Sequence, residues 1–402
     1  MLQTLVVICL ALASRVTATP TFSLFPGTIF EQFPGFEGAT ILTSQGGHAK
    51  CVRGNLNVQT SSSNVKLNYD GPSSQLALTE LVLENLQVNS PLSASVVGAK
   101  TQVSGSYKIN SQICWPSSGS MNASSIQFLT HGVGFDKSYW DFYSSDYSYI
   151  DFMAEQGYTT FSYDRLGVGA SAHPDPIQVV QAQMEVEVAH TLIQGLRSGS
   201  YCTTKFQKVI GVGHSLGSIL TTGVASQYPA DLDAAVLTGF SIDAAGFPVF
   251  FAGLNLVIAK ENNPLRFGLL QNGYIVSDTK VSNQFGFFRY PNFSPAVLDA
   301  SERVKQTLSI GEFFTNAMVL APAPEFTGPI DVVDGENDLP FCQSNCLNNG
   351  NRAAEVKGAL FPAASAGSDS YILKGAGHGL NLHYGAKDAY KHIAGFLAKN
   401  GY

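Results

Sequence analysis

The sequence predicts an α/β protein with a mostly parallel central sheet and helices on both of its faces, enlarged by an inserted cap and a β-rich N-terminal extension. Three observations predict it. From residue 124 onward, short β-branched runs alternate with longer stretches whose apolar residues recur at helical spacing. Glycine-rich turns join the one to the other. Before residue 122 the pattern is different: Ser, Asn, Thr, Gly and Val form short alternating segments with strand periodicity.

Composition supports a large folded core. Of the 402 residues 45% are hydrophobic, which excludes global disorder, and only 13% are charged. The net charge is −7 and there is no Lys/Arg run, which argues against a nucleic-acid binder or a polybasic membrane binder.

The elements follow in chain order. Residues 1–18 are read as a secretion signal, apolar from Leu5 to Ala13 and ending in the small-residue site Val16-Thr17-Ala18, although Lys and Arg are missing ahead of the apolar stretch. The mature chain is therefore expected outside the cell. Removal of Cys9 leaves Cys51, Cys114, Cys202, Cys342 and Cys346, an odd set that in an oxidising compartment predicts one or two disulfides and an unpaired thiol. Sequence does not fix the connectivity; Cys342–Cys346 and Cys51–Cys114 are the expected pairs. With no CxxC pair and no Cys/His cluster, no structural metal site is expected. Asn122-Ala-Ser and Asn292-Phe-Ser are glycosylation sequons.

Residues 19–122 form the β-rich extension, with strands expected at Val65–Tyr69 and Gly105–Ile109 and an end near Cys114-Trp115-Pro116. Residues 123–240 make the first part of the core. Ile126–Thr130 runs into His131-Gly132, and Gly157–Tyr163 runs into Asp164-Arg-Leu-Gly-Val-Gly169. A helix is expected between Ile177 and Leu196, a strand at Lys208–Val212, a helix from Leu216 to Gln227 stopped by Pro229, and a strand at Ala234–Thr238. Residues 241–328 break the alternation. They are rich in Phe and Tyr, interrupted by Pro248, Pro264, Pro291 and Pro295, and too long for an ordinary loop, so they are read as a cap over the carboxyl edge of the sheet. The most apolar later stretch, Ala244 to Ala259, belongs to this cap and is too short to span a membrane, so no transmembrane anchor is expected. Residues 329–402 close the core with strands at Ile330–Val333 and Tyr371–Leu373 and a helix at about Ala386–Lys399.

The chemistry sits at the strand ends. Gly213-His214-Ser215-Leu216-Gly217 fits G-x-S-x-G, directly after a β-branched strand and directly before a helix. The flanking positions must be small so that strand and helix can approach, and the turn then holds the Ser215 Oγ at a helix N-terminus that favours developing negative charge. Serine needs a base, and His378 lies in the Gly-rich loop after the last strand, with His383 as its rival. His214 flanks the serine and should point away from Oγ. The acid that orients the base should follow the preceding strand, where Asp334, Glu336 and Asp338 compete. The backbone N–H of Leu216 and one from His131-Gly132-Val133-Gly134 are the natural oxyanion donors.

From residue 124 to 402 the chain resembles the α/β-hydrolase superfamily. The resemblance rests on His131-Gly132, the turn Asp164–Ser171, the elbow Gly213–Gly217, the turn Gly335-Glu-Asn-Asp338 and the loop Gly377-His378, in that order. It implies Ser215 as nucleophile, Asp338 as the acid, because the family's acid usually closes a G-x-x-D turn, and His378 as base, with Val133 and Leu216 as oxyanion donors. The signal and the Ser/Asn/Gly-rich extension also resemble secreted fungal members; the extension departs from the minimal pattern. The expected activity is hydrolysis of carboxylic esters, lipase- or esterase-like, on a small and apolar substrate through an acyl-enzyme, with no cofactor. Peptidase, thioesterase or acyltransferase chemistry, a role in secondary metabolism, and a non-catalytic binding role on the same fold are the alternatives. Dehalogenase or epoxide chemistry would want Asp in place of Ser215.

Overall fold

Two long strands dominate the first hundred described residues. The computed structural model describes residues 30–402, so the expected signal segment and Cys9 lie outside the described residues. β1 (Glu37–Thr43) pairs antiparallel with β2 (Ala49–Leu67), and β2 pairs antiparallel over nearly its whole length with β3 (Val97–Pro116). Alternate residues of β2 are buried, as period-two geometry requires. The hairpin is much longer than the two short strands expected. Ser and Thr, with the buried polar residues Ser62 and Asn64 among them, fill its outer half, which blunts the apolar alternation by which a strand is recognised. A helix at Gln75–Leu86, capped by Ser74, lies between β2 and β3 in the region expected to be β-rich.

The extension does not stand apart. β3 runs antiparallel to β5 (Thr160–Tyr163), pairing Ser111 with Tyr163 through Cys114 with Thr160, and so continues the central sheet. That sheet adds β4 (Ser125–Thr130), β6 (Lys208–His214), β7 (Ala234–Thr238), β11 (Ile330–Gly335) and β12 (Asp369–Leu373), with β8 to β10 in the cap described below. The nine strands run in the order β1-β2-β3-β5-β4-β6-β7-β11-β12, and every pairing from β5 to β12 is parallel.

Successive residues of the parallel strands face two separate cores. Val209 joins the core containing the helices Ala182–Ser198, Leu216–Gln227 and Arg352–Leu360, while Ile210 joins the one containing Tyr149–Glu155 and Ala386–Lys399. The helix expected from Ile177 begins five residues later. Asp175 accepts from the Ile177 and Gln178 amides, and the Gln178 and Gln181 side chains bond the β2 backbone at Leu67 and Val65, so these residues are spent on a turn and a strand contact.

The segment between β7 and β11 builds the cap from the helices Phe247–Leu254, Lys280–Phe287, Pro295–Val304 and Ile310–Thr315. A small antiparallel sheet of β8 (Val257–Ile258), β9 (Tyr274–Val276) and β10 (Leu308–Ser309) ties them together. Cys51–Cys114, directly opposite on β2 and β3, and Cys342–Cys346 are disulfides, and Cys202 is free and buried. Asn122 is exposed, whereas the Asn292 amide is partly buried and donates to the Gly375 carbonyl. Among the described residues no helix is long and apolar enough to cross a membrane.

Candidate active site

β6 ends in a turn that only small neighbours permit. A side chain at Gly217 would collide with the Thr130 carbonyl, and one at Gly213 with the backbone of Gly217 and Ser218. Held between them, Ser215 adopts φ +56° and ψ −118°, a conformation costly for a residue with a side chain, at the N-terminus of the helix Leu216–Gln227. Its Oγ lies 2.8 Å from the His378 Nε2.

His378 hangs from the loop after β12, and its Nδ1 lies 2.5 Å from the Asp338 Oδ2. Asp338 follows β11 and caps the short helix Leu339–Cys342: its Oδ1 accepts from the Phe341 N–H, which leaves Oδ2 free for the imidazole. All three side chains are buried, with Ser215 only 7% exposed. Burial holds His378 down to about 4, opposed by the charge of Asp334, so the imidazole is neutral at neutral pH; burial likewise raises Asp338.

The other two acid candidates point elsewhere. Asp334 Oδ1 accepts from the adjacent Gly335 N–H, and its Oδ2 lies 3.4 Å from both sulfurs of the Cys342–Cys346 disulfide. With no donor on that oxygen, burial and the neighbouring Asp338 push its pKa well above the usual range. Glu336 accepts from the Gly375 N–H and tethers the start of the loop that carries His378.

The loop after β4 presses on the nucleophile so closely that a Cβ on Gly132 would sit 2.9 Å from that of Ser215. Among the described residues neither the Val133 nor the Leu216 N–H donates to another protein group, so both are available to an oxyanion. His131 fixes this loop through its Nε2, which accepts from the Arg165 N–H. The turn Asp164–Ser171 braces it from the side: Asp164 binds both the backbone N–H and the ammonium of Lys137. His214 turns away from Ser215, stacks on Tyr139 at 4.4 Å and bonds Thr238.

A wall of phenylalanines closes the site. Phe287 stacks on the His378 ring at 5.9 Å, Phe250 meets it edge-on at 5.7 Å, and Phe341 lies at 5.8 Å. Phe251 sits one layer out, against Phe313 at 5.0 Å. Sequence reasoning pointed to an aromatic cap but not to Phe287, because aromatic density does not say which ring turns inward, nor to Phe341, which lies beyond the cap. His383, the rival base, does not reach Ser215. It precedes the helix Ala386–Lys399, with its side chain buried in the loop that carries His378.

Residues 128–387 match the model of the alpha/beta hydrolase family. No curated protein matches the chain. Among solved structures, a thermophilic esterase from Thermogutta terrifontis, studied with malate bound, is similar with a TM-score of 0.50 at 13% identity, over 74% of this chain and 96% of that one. The enol-lactonase from Burkholderia xenovorans LB400 gives a TM-score of 0.49 at 17% identity, over 73% of this chain and 97% of that one. At such identities the likeness is one of fold.

Proposed function

Because the chain belongs to the alpha/beta hydrolase family, we propose that it is a secreted serine hydrolase that cleaves small apolar carboxylic esters through an acyl-enzyme, with Ser215, His378 and Asp338 as its catalytic triad. One observation carries this reading: the unbroken chain from Ser215 Oγ to His378 Nε2 at 2.8 Å and from His378 Nδ1 to Asp338 Oδ2 at 2.5 Å. The neutral imidazole takes the Ser215 proton as Oγ attacks the ester carbonyl, and Asp338 stabilises the imidazolium that forms. The Leu216 and Val133 N–H groups receive the negative charge that develops on the carbonyl oxygen. Collapse expels the alcohol, which leaves with the proton from His378. A water molecule, deprotonated by the same imidazole, then attacks the acyl-Ser215 ester and releases the carboxylic acid.

The wall of Phe250, Phe287 and Phe341 supports an apolar substrate, and the burial of Ser215 supports a small one over a polypeptide. The two disulfides, together with the apolar stretch Leu5–Ala13, support secretion. A fluorophosphonate probe should label the protein and fail on Ser215→Ala, and that variant should lose turnover of p-nitrophenyl esters by on the order of 10⁶-fold. Esterase activity retained by Ser215→Ala overturns the assignment. Running esters of increasing chain length beside peptide and lactone substrates separates the ester reading from the peptidase one.

A further inference from the structure

The triad accounts for one of the two histidines in the loop between β12 and the helix Ala386–Lys399. The other, His383, is equally buried and reaches neither Ser215 nor Asp338. Every bond of its imidazole goes to backbone. Nε2 accepts from the N–H of Gly377 and from the N–H of Arg289, both at 3.0 Å, and Nδ1 lies 2.9 Å from the Gly379 carbonyl. A carbonyl can only accept, so Nδ1 carries the proton. Nε2, facing two donors, carries none. The geometry therefore fixes one neutral tautomer. Burial lowers the pKa of this group to about 4, which agrees.

The three partners are not a random set. Gly377 and Gly379 flank His378 on either side, so the ring grips the catalytic loop before and after the base. Arg289 belongs to the cap, two residues beyond Phe287, whose own carbonyl accepts from the Gly379 N–H at 2.8 Å. The same short cap segment thus supplies the ring that stacks on His378 and the amide that His383 holds. At Gly377 the approach is so close that a Cβ would sit 3.1 Å from the Arg289 nitrogen and the Phe287 carbonyl oxygen. The rings of Phe288 and Phe293, themselves buried, flank the imidazole at 6.0 and 6.4 Å.

We propose that His383 is a positioning residue: as a neutral imidazole it clamps the loop carrying His378 to the cap segment Phe287–Arg289, and so holds the base in line with Ser215. The role rests on the serine hydrolase reading of the triad. Without the clamp, the Gly377 and Arg289 N–H groups lose their acceptor and the glycines around His378 lose their anchor. The base then samples positions away from Oγ, while the aromatic wall that receives the substrate is otherwise unchanged.

The test compares the full-length wild type with His383→Leu and His383→Gln on p-nitrophenyl acetate, each turnover number divided by the sites titrated with a fluorophosphonate at its end point. His383→Leu should lower kcat per titrated site by roughly 10²-fold, the scale of a misplaced catalytic group, with KM unchanged. His383→Gln, whose amide oxygen can still accept from both N–H groups, should recover most of that loss. A merely structural role would reduce the number of titratable sites and leave kcat per site intact, and that result overturns the proposal. So does an equal loss of kcat in the Gln and Leu variants. Histidine ¹⁵N spectra of the wild type give a reading that needs neither variant to fold. A His383 ring protonated at Nδ1 and bare at Nε2 at neutral pH supports the clamp, and one protonated at Nε2 overturns it. Failure of the wild type to label at Ser215 would instead overturn the hydrolase reading, with the ¹⁵N spectra still deciding the clamp.

Discussion

Four residues apart on one turn, two buried aspartates have different partners. Asp338 spends one oxygen on a helix cap and the other on His378, so both lone-pair directions meet a donor. Asp334 turns an oxygen onto a disulfide that has no proton to give, and burial with the neighbouring Asp338 raises its pKa well above the usual carboxylate range. Asp338→Asn should therefore lower kcat by on the order of 10⁴-fold, the effect of losing a triad acid, because an amide can present its N–H to Nδ1 and favour the wrong tautomer. Asp334→Asn keeps the shape of a side chain that makes no hydrogen bond to His378 and should cost far less in kcat. Steady-state kinetics on both, with circular dichroism as the check on folding, decides the matter. The reverse ranking would make Asp334 the acid. The sequence pattern kept Asp334, Glu336 and Asp338 in competition because all three lie within five residues of the strand end. Only the backbone turn shows that Glu336 is committed to Gly375 and Asp334 to Gly335.

At the scale of elements, the seam between cap and core is held by a buried ionic cluster. Arg165, on the turn after β5, contacts Glu185 of the core helix Ala182–Ser198 and Glu312 of the cap helix Ile310–Thr315. Glu312 also completes a capping box with Ser309, so its carboxylate is doubly employed. Burial and the nearby Glu312 outweigh the attraction of Arg165 and raise Glu185 well above the usual carboxylate range. Arg165→Met should cost about 3–5 kcal/mol in urea unfolding, because it takes the cation away from two buried carboxyl groups that both contact it, whereas Glu185→Gln, which keeps the shape and the cation, should cost less than about 1 kcal/mol. Equal losses would mean that Glu185 is ionised. In the cap itself, Phe250→Ala should shift relative kcat/KM between short and long esters several-fold, since a lost apolar contact is worth roughly 1–3 kcal/mol, and Phe251→Ala should shift it less because Phe251 packs on Phe313 one layer away. The elbow and the parallel strands were legible because close approach demands glycine and burial on both faces demands β-branched runs. The cap's inward rings were not, since all its phenylalanines read alike until the helices are placed. The Arg165 cluster was equally hidden: its three members come from segments separated by 20 and 147 positions.

Across the whole molecule, four buried imidazoles share one electrostatic situation. Burial lowers His131, His214, His378 and His383, the last two to about 4. In the unfolded chain each titrates near 6.5, so below that pH the unfolded state binds protons that the folded state refuses, and stability falls as pH drops. The buried carboxyls act in the opposite sense. Asp164, Glu185, Asp331, Asp334 and Asp338 are raised, so the protons they keep stabilise the fold at low pH, and that contribution is lost as pH rises through their folded values. The net slope of stability with pH is therefore a difference between two sets, and one set can be isolated by removing a member that does not titrate in its replacement. His383→Gln does this, since the amide keeps an acceptor for the Gly377 and Arg289 amides and carries no proton equilibrium. The wild type should exceed the variant in stability most at and above neutral pH. As pH falls from 6.5 the gap should shrink by up to about 1.4 kcal/mol per pH unit, the full slope of one proton, and level off below about 4 where both states are protonated. Urea unfolding of the two proteins at a series of pH values between 7 and 4 measures the gap directly. A gap that stays constant, or widens toward acid, would mean that His383 is not held neutral in the folded protein, and the tautomer that lets it grip both sides of His378 would not be the one present.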